Sequence, residues 1–421
     1  MGGNGGVRSG LSRWVLMTGM GDRRFDLVLH GATGYVGRLA AAELAGRSGG
    51  LRIALSGRNE QRLRAVQDEL GVDWPLLVTD AKDAAAVAEL APQTAVVATT
   101  VGPYQRYGLP LVRACAEHGT SYCDLTGETS FVRVSAAAAH RRAVETGARI
   151  VHSAGFDSVP SDLGVWLLYE QVRADGEGTL GETVAVLASA RGGVSGGTIE
   201  SVRLIVQETS HPARRHQLSD PYALSPDRSA DPDGADERDP MLPAWDRLLG
   251  GWVAPSPFGP HDSRIVRRTN ALLGHPYGPR FRYRERLGVG GGPAAPLVAG
   301  LLTAGMGALV AGLRFAPTRA LLDRVLPGPG QGPSEKTRAE GHFRVEVHTA
   351  TSTGARYVAT VAADADPGYG ATAIMFAETA LSLAQDNLSG PGGVLTPAAA
   401  LGGHLVERLR GRGFILSVRR C

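Results

Sequence analysis

Gly31, Gly34 and Gly37 recur at a spacing of three in "HGATGYVG", after an apolar run and before a helical pattern. That spacing suits close approach of backbone to phosphate oxygens at a helix N-terminus, where free N–H groups and the helix dipole favour negative charge. Further along stand groups that could move a proton or hold an anion. Tyr104 and Tyr107 lie in "VGPYQRYG", Asp124 and Glu128 in "CDLTGE", Asp157 and Ser158 in "AGFDSVPSD". Lys336, in "GPSEKTR", is one of only two lysines, the other being Lys82. Each has a plain alternative. A tyrosine after a strand packs and makes one hydrogen bond, a carboxylate staples a loop, and Ser161 or Asp162 caps a helix. Lys336 could simply be a surface charge. No nucleophile elbow appears, since "GFDSV" is not G-x-S-x-G, and no His/Cys cluster has metal spacing.

These residues need elements to position them. "FDLVLH" reads as a buried parallel strand, and "RLAAAELAG" continues the glycine turn as a helix. Gly31, Ala32, Thr33, Gly34, Tyr35, Val36 and Gly37 thus form a strand–loop–helix turn expected to bind a dinucleotide. A second strand, "RIALSGR", ends where NAD-binding chains place an acidic residue for the ribose hydroxyls, about 20 residues on. Here Ser56 and Arg58 occupy that end, and a guanidinium suits a 2′-phosphate. NADPH is therefore the expected cofactor. Strand–helix alternation continues through "WPLLVTD", ending at Asp80, and "AVVATTVGPY", whose end carries Thr99, Thr100, Gly102 and Pro103. In such sheets ligands bind beyond the carboxyl ends of the strands. The fold expected is α/β, a Rossmann-type doubly wound parallel sheet with a second α+β domain on an antiparallel sheet.

The 421 residues exceed one ordinary domain. Residues 1–24 read as a disordered extension, 25–163 as the NADP-binding domain and 164–385 as a substrate domain. Residues 386–421 read as a segment returning to the first domain. Within the second half, 210–263 is dense in Pro, Asp, Arg and Ser and reads as an excursion with little regular structure. "HFRVEVHTATSTGARYVATVAADA" reads as a hairpin and "GYGATAIMFAETALSLAQDN" as a helix. A net charge of +3, without clustered basic residues, argues against nucleic acid. Cys115, Cys123 and Cys421 fit neither a disulfide scaffold nor a metal site, which suits a reducing cytosol. Between Arg286 and Arg314 the chain carries no charge. Its proline-free part, 297–313, is short for a bilayer span and reads as a buried or membrane-touching helix. Leu297, Leu301, Met306, Leu309 and Leu313 fall at near-helical spacing and could line an apolar surface or pack inside the second domain.

"GATGYVG", "TTVGPYQRYGLPLVRACAEHGTSYCDLTGE", "AGFDSVPSDLG" and "GGVLTPAAALG" together resemble the saccharopine dehydrogenase-like family. "GRNEQRLR", "RIVRRTNAL", "PYGPRFRYRE" and "GPSEKTRAEGHF" resemble its actinobacterial trans-acting enoyl reductase branch. The resemblance runs from about Phe25 to the last residues. It implies an NADPH-dependent enzyme that reduces a carrier-bound enoyl chain on a polyketide synthase, as in phthiocerol-type envelope lipids. His30 departs from the tyrosine that relatives often carry, without touching the phosphate loop. For that chemistry Tyr104, Asp157 and Lys336 are the catalytic candidates. Two other readings stand beside it: an amino-acid dehydrogenase with the arginines of "RIVRRTNALLG" as carboxylate partners, and a non-catalytic NADP-binding lipid-associated protein. A homodimer is compatible with each reading, as is a cytoplasmic protein that touches membrane through 297–313.

Overall fold

A computed structural model describes residues 23–192, 219–231, 237–315, 317–318 and 334–421. The N-terminal extension, residues 193–218 and most of 316–333 lie outside the described residues.

The first sheet is all parallel. Its strands are β1 (Phe25–His30), β2 (Ile53–Gly57), β3 (Leu76–Val78), β4 (Thr94–Thr99), β5 (Ser121–Asp124), β6 (Arg149–Val151) and β13 (Gly393–Leu395), in the order β13-β6-β5-β4-β1-β2-β3. The order reverses at β1, which leaves a crevice beyond the carboxyl ends of β1 and β4. The central strands are buried on both faces, hence the apolar runs Leu27–Leu29 and Val96–Ala98 within them. Helices α1 (Tyr35–Ala45), α2 (Glu60–Leu70), α3 (Ala84–Ala88), α4 (Tyr104–His118) and α5 (Thr129–Thr146) connect them.

From β6 the chain passes through α6 (Val159–Ala174) into a second seven-stranded sheet. Its strands are β7 (Leu180–Arg191), β8 (Ala244–Asp246), β9 (Gly251–Pro255), β10 (Arg282–Gly290), β11 (His342–Thr351), β12 (Arg356–Ala363) and β14 (Ile415–Arg420), ordered β14-β12-β11-β7-β10-β9-β8. This sheet is mixed: β7 and β10 pair in parallel, and every other pairing is antiparallel. The reading of 210–263 as irregular needs correction, because β8, β9 and the start of α7 (Gly259–Leu272) lie there. Strands of three and five residues leave too little periodicity to read.

The two sheets share one core. α6 lies on the second sheet, where a Cβ on Gly164 would come 2.6 Å from Val347 Cγ2. Conversely α10 (Thr372–Gln385), which follows the β11–β12 hairpin, packs on α1 and the first sheet through Met375, Phe376 and Leu381. Buried Glu378 of α10 pairs with Arg47 just past α1, and with Arg408 and Arg412 at the other end of the chain. The C-terminal segment divides: β13 enters the first sheet, then α11 (Pro397–Leu401) and α12 (Gly403–Arg410) lead to β14 in the second.

The apolar stretch forms α8 (Ala295–Arg314), with α9 (Glu335–Ala339) after it. The reading that α8 packs wholly inside the second domain is not met. Leu297 and Leu301 are 67% and 64% exposed, Leu309 is exposed, Met306 is half-buried, and Leu313 is buried.

Candidate functional site

The phosphate end of the crevice is built almost wholly from backbone. Gly31 N–H and Ala32 N–H donate to Ser56 O at 2.8 and 3.2 Å, and Gly34 N–H donates to Gly31 O at 3.0 Å. Gly31 adopts a φ of +91°, and a Cβ there would meet Thr100 Oγ1 and Val101 Cγ2 at 2.7 Å. Thr100 fastens this turn to β4, its N–H on His30 O and its hydroxyl on Gly31 O. At Gly37 a Cβ would come within 2.1 Å of Gly31 O, so only glycine lets α1 start against the turn. Gly34, the N-cap of α1, is exposed and brings no side-chain cap, and the first helical turn holds no acidic residue. The helix N-terminus is thus open to an anion. Thr33 and Val36 are half-buried on the loop, and Ala32 is buried beneath it.

Arg58 follows β2, exposed and without a hydrogen bond or ion pair among the described residues. Asn59 beside it caps α2 by accepting from Arg62 N–H at 2.9 Å. A free cation next to a helix N-terminus suits a 2′-phosphate. Ser56 points elsewhere, its hydroxyl 3.0 Å from His30 Nδ1, and Asp80 is exposed, receiving Lys82 N–H. Burial lowers the His30 pKa to about 4, so its ring is neutral.

The three catalytic candidates are not brought together. Tyr104 is interior: its hydroxyl donates to Thr99 O at 3.3 Å and accepts from Leu125 N–H at 3.2 Å, and its ring stacks on Phe131. Burial raises its pKa well above the phenol range. Its role as proton donor is corrected to that of a staple between β4 and β5. Glu128 receives Tyr104 N–H and Gln105 N–H, while Asp124 receives Thr126 N–H and Ser153 N–H. Both carboxylates are loop staples. Thr99 likewise turns inward, its hydroxyl receiving Val101 N–H, and Gly102 and Pro103 lead into α4. Lys336 is exposed on α9, which touches the glycine loop, and no contact links it to Asp157 or Tyr104.

Asp157 is different. It stands after β6 with one side open to solvent and protein on the others, and a Cβ on Gly127 would lie 3.7 Å from its Oδ2. Its carboxyl makes no hydrogen bond or ion pair among the described residues, and the surrounding protein raises its pKa to about 6. Of the two candidates that follow strands of the first sheet, Tyr104 and Asp157, it is the one whose proton-carrying group is left free, at the end of the crevice away from the phosphate loop.

Behind it lies a buried carboxyl pair that the sequence reading did not single out. Asp262 of α7 and Glu285 of β10 share a hydrogen bond, and burial together with the other's charge drives the Asp262 pKa up. Ser158, Ser161, Ser256 and Tyr283 donate to this pair at 2.8–3.2 Å. Ser161 and Asp162 therefore do not cap α6. Asp162 receives Ala398 N–H at 2.8 Å and the Thr269 hydroxyl at 2.5 Å, and burial raises its pKa to about 7. No spacing in the sequence links residues so far apart. The arginines of α7 are also engaged: Arg264 pairs with Asp239, Arg267 with Glu237, and Arg268 donates to Leu224 O and Val394 O.

Residues 27–151 match the family described as saccharopine dehydrogenase NADP binding domain. A protein of Mycobacterium tuberculosis is 49% identical over 415 residues, 94% of this chain and 98% of that one. The trans-acting enoyl reductase of Mycobacterium ulcerans is 46% identical over 417 residues, 95% of this chain and 99% of that protein. The chain belongs to the trans-acting enoyl reductase family. It is an NADP-dependent oxidoreductase, with NADPH as cofactor. Among solved structures, the apo saccharopine dehydrogenase (L-Glu forming) of Saccharomyces cerevisiae superposes with a TM-score of 0.53 at 13% identity. That alignment covers 94% of this chain and 100% of the yeast one, and shows the shared two-sheet fold.

Proposed function

We propose that the protein is an NADPH-dependent enoyl reductase acting in trans on a carrier-bound chain of a polyketide synthase, in the assembly of phthiocerol-type envelope lipids. The observation that carries the reading is the free carboxyl of Asp157, which follows β6 in the same parallel sheet as the glycine loop and which we assign to the nicotinamide side. When bound, the cofactor supplies the hydride for the β-carbon of the enoyl thioester. The glycine loop orients it, with its diphosphate at the N-terminus of α1 and its 2′-phosphate on Arg58. Asp157 then gives its proton to the α-carbon as electron density returns from the thioester oxygen, and regains one from solvent on its open side.

A substrate with several carboxylates, as an amino-acid dehydrogenase would need, fits less well. Arg264, Arg267 and Arg268 are turned inward and already paired. The exposed apolar surface of α8 favours a lipid-like chain instead. This helix has a mean hydropathy of 1.8, is long enough to cross a bilayer, and is only 11% buried. We place it at the cytoplasmic membrane surface, lying in the interface or meeting the acyl chain directly.

The test is incubation of the purified protein with NADPH and 2-enoyl chains on a carrier protein. The expected result is consumption of NADPH with a gain of two hydrogens on the carrier-bound product. NADPH binding without reduction of any enoyl chain would leave the non-catalytic reading in its place.

A further inference from the structure

Two side chains from the second half of the chain converge on the phosphate loop. Arg338, half-buried on α9, donates from Nη1 to the Tyr35 hydroxyl at 2.7 Å, and its guanidinium lies 5.6 Å from the centre of the Tyr35 ring. Tyr35 is the first residue of α1, immediately after Gly34. On the same ring, Tyr369 packs edge-on at 4.7 Å between centroids. Tyr369 is 1% exposed, and its hydroxyl is buried without a hydrogen-bond partner among the described residues. A buried hydroxyl left unpaired is destabilising, and this one sits beside the residue that opens α1, where a bound anion would come.

We propose that Arg338, supported by Tyr369, forms a second wall of the cofactor's diphosphate site. The N-terminus of α1 offers backbone N–H groups from one side, and the guanidinium offers a charged fork from the other. In the free protein this fork rests on Tyr35, next to the place the diphosphate must take. The α9 segment is held for this by the Ser334 cap, which receives Thr337 N–H at 3.2 Å, and by the ion pair of Glu340 with Arg191 at 2.8 Å. The second half of the chain thereby binds cofactor as well as substrate, and grips the part common to NADPH and NADH.

The test is equilibrium binding of NADPH and of NADH, followed by fluorescence, to the full chain and to Arg338→Ala and Arg338→Gln. Both variants are expected to lose about tenfold or more in affinity for each dinucleotide. Their preference for NADPH over NADH should stay unchanged, with melting temperatures near that of the unmodified protein. The same Arg338→Ala penalty should persist in a Tyr35→Phe background. Affinities within twofold of the unmodified protein would overturn the proposal. A changed NADPH/NADH ratio would do so too, by moving Arg338 to the 2′-phosphate. So would disappearance of the penalty in the Tyr35→Phe background, which would make Arg338 a prop for Tyr35 alone.

Discussion

At the phosphate end of the crevice, three glycines within seven residues make the turn, the close approach and the helix start. At the other end, Asp157 stands against the loop after β5 and in front of Asp262 and Glu285, which come from α7 and β10. The glycine turn of the first end is backbone, local in sequence, and demands particular residue types; Arg338 and Tyr369 reach it from the second half of the chain. The second is made of side chains, and whether a given group is free or engaged depends on what the rest of the chain brings against it. Tyr104 and Asp157 show the difference. Both follow strands of the same sheet and both could carry a proton. Leu125 N–H and Thr99 O engage the first, and nothing among the described residues engages the second.

The largest expected effect falls on the backbone end. Gly34→Val should fold, because the one close neighbour of its Cβ, Gly31 O at 3.3 Å, has to give by only a few tenths of an ångström, yet its side chain would fill the proposed diphosphate position and NADPH binding should disappear. Gly37→Val should be destabilised as well, since a Cβ 2.1 Å from Gly31 O cannot be relieved by a rotamer change. Overpacking of this kind costs about 1–3 kcal/mol or more. Titration and thermal melting of both variants separate the two roles, and normal NADPH binding by Gly34→Val would mean that the phosphate site lies elsewhere.

Next comes the Asp157 end. Asp157→Asn should lower turnover by roughly 10²–10⁴-fold with NADPH affinity retained. With Asp157 as the proposed proton donor, the rate of the unmodified enzyme should fall as pH rises through about 6, and the variant should lack that limb. The sign for stability is the same. A pKa raised from 3.8 to about 6 makes protonation favour the folded state, and that contribution is lost as pH rises through this window. The melting temperature of Asp157→Asn should therefore depend less on pH there. Equal loss of NADPH binding and turnover would instead make Asp157 part of the cofactor site.

A smaller effect belongs to Arg58. Arg58→Ala should reduce the preference for NADPH over NADH by roughly tenfold, limited by solvent screening at this exposed position. Equal affinities for the two cofactors in the unmodified protein would remove the role altogether. The smallest change in stability is expected on α8. Leu297→Ser with Leu301→Ser should shift stability by no more than about 0.5 kcal/mol, because neither side chain is packed. Flotation with anionic lipid vesicles should nevertheless fall. A large drop in melting temperature would place these leucines inside a core.

The parallel sheet and its glycine turn were legible in the sequence because each demand there is local: an apolar strand, glycines where no Cβ fits, and a helix started without an acidic cap. The hairpin of β11 and β12 and the helix α10 were legible for the same reason, since alternation and helical spacing act over a few residues. Tertiary structure alone decided the rest. It turned Tyr104 inward and left Asp157 free. It aimed Arg264, Arg267 and Arg268 at Asp239, Glu237 and backbone carbonyls, and joined β7 to β10 in parallel. It also set Arg338 on Tyr35, a residue 303 positions earlier in the chain. A hydrogen bond between residues so distant leaves no periodic mark, because either partner could serve equally well on a solvated surface. Residue type fixes what a side chain is able to do, and the neighbours supplied by folding fix whether it is free to do it.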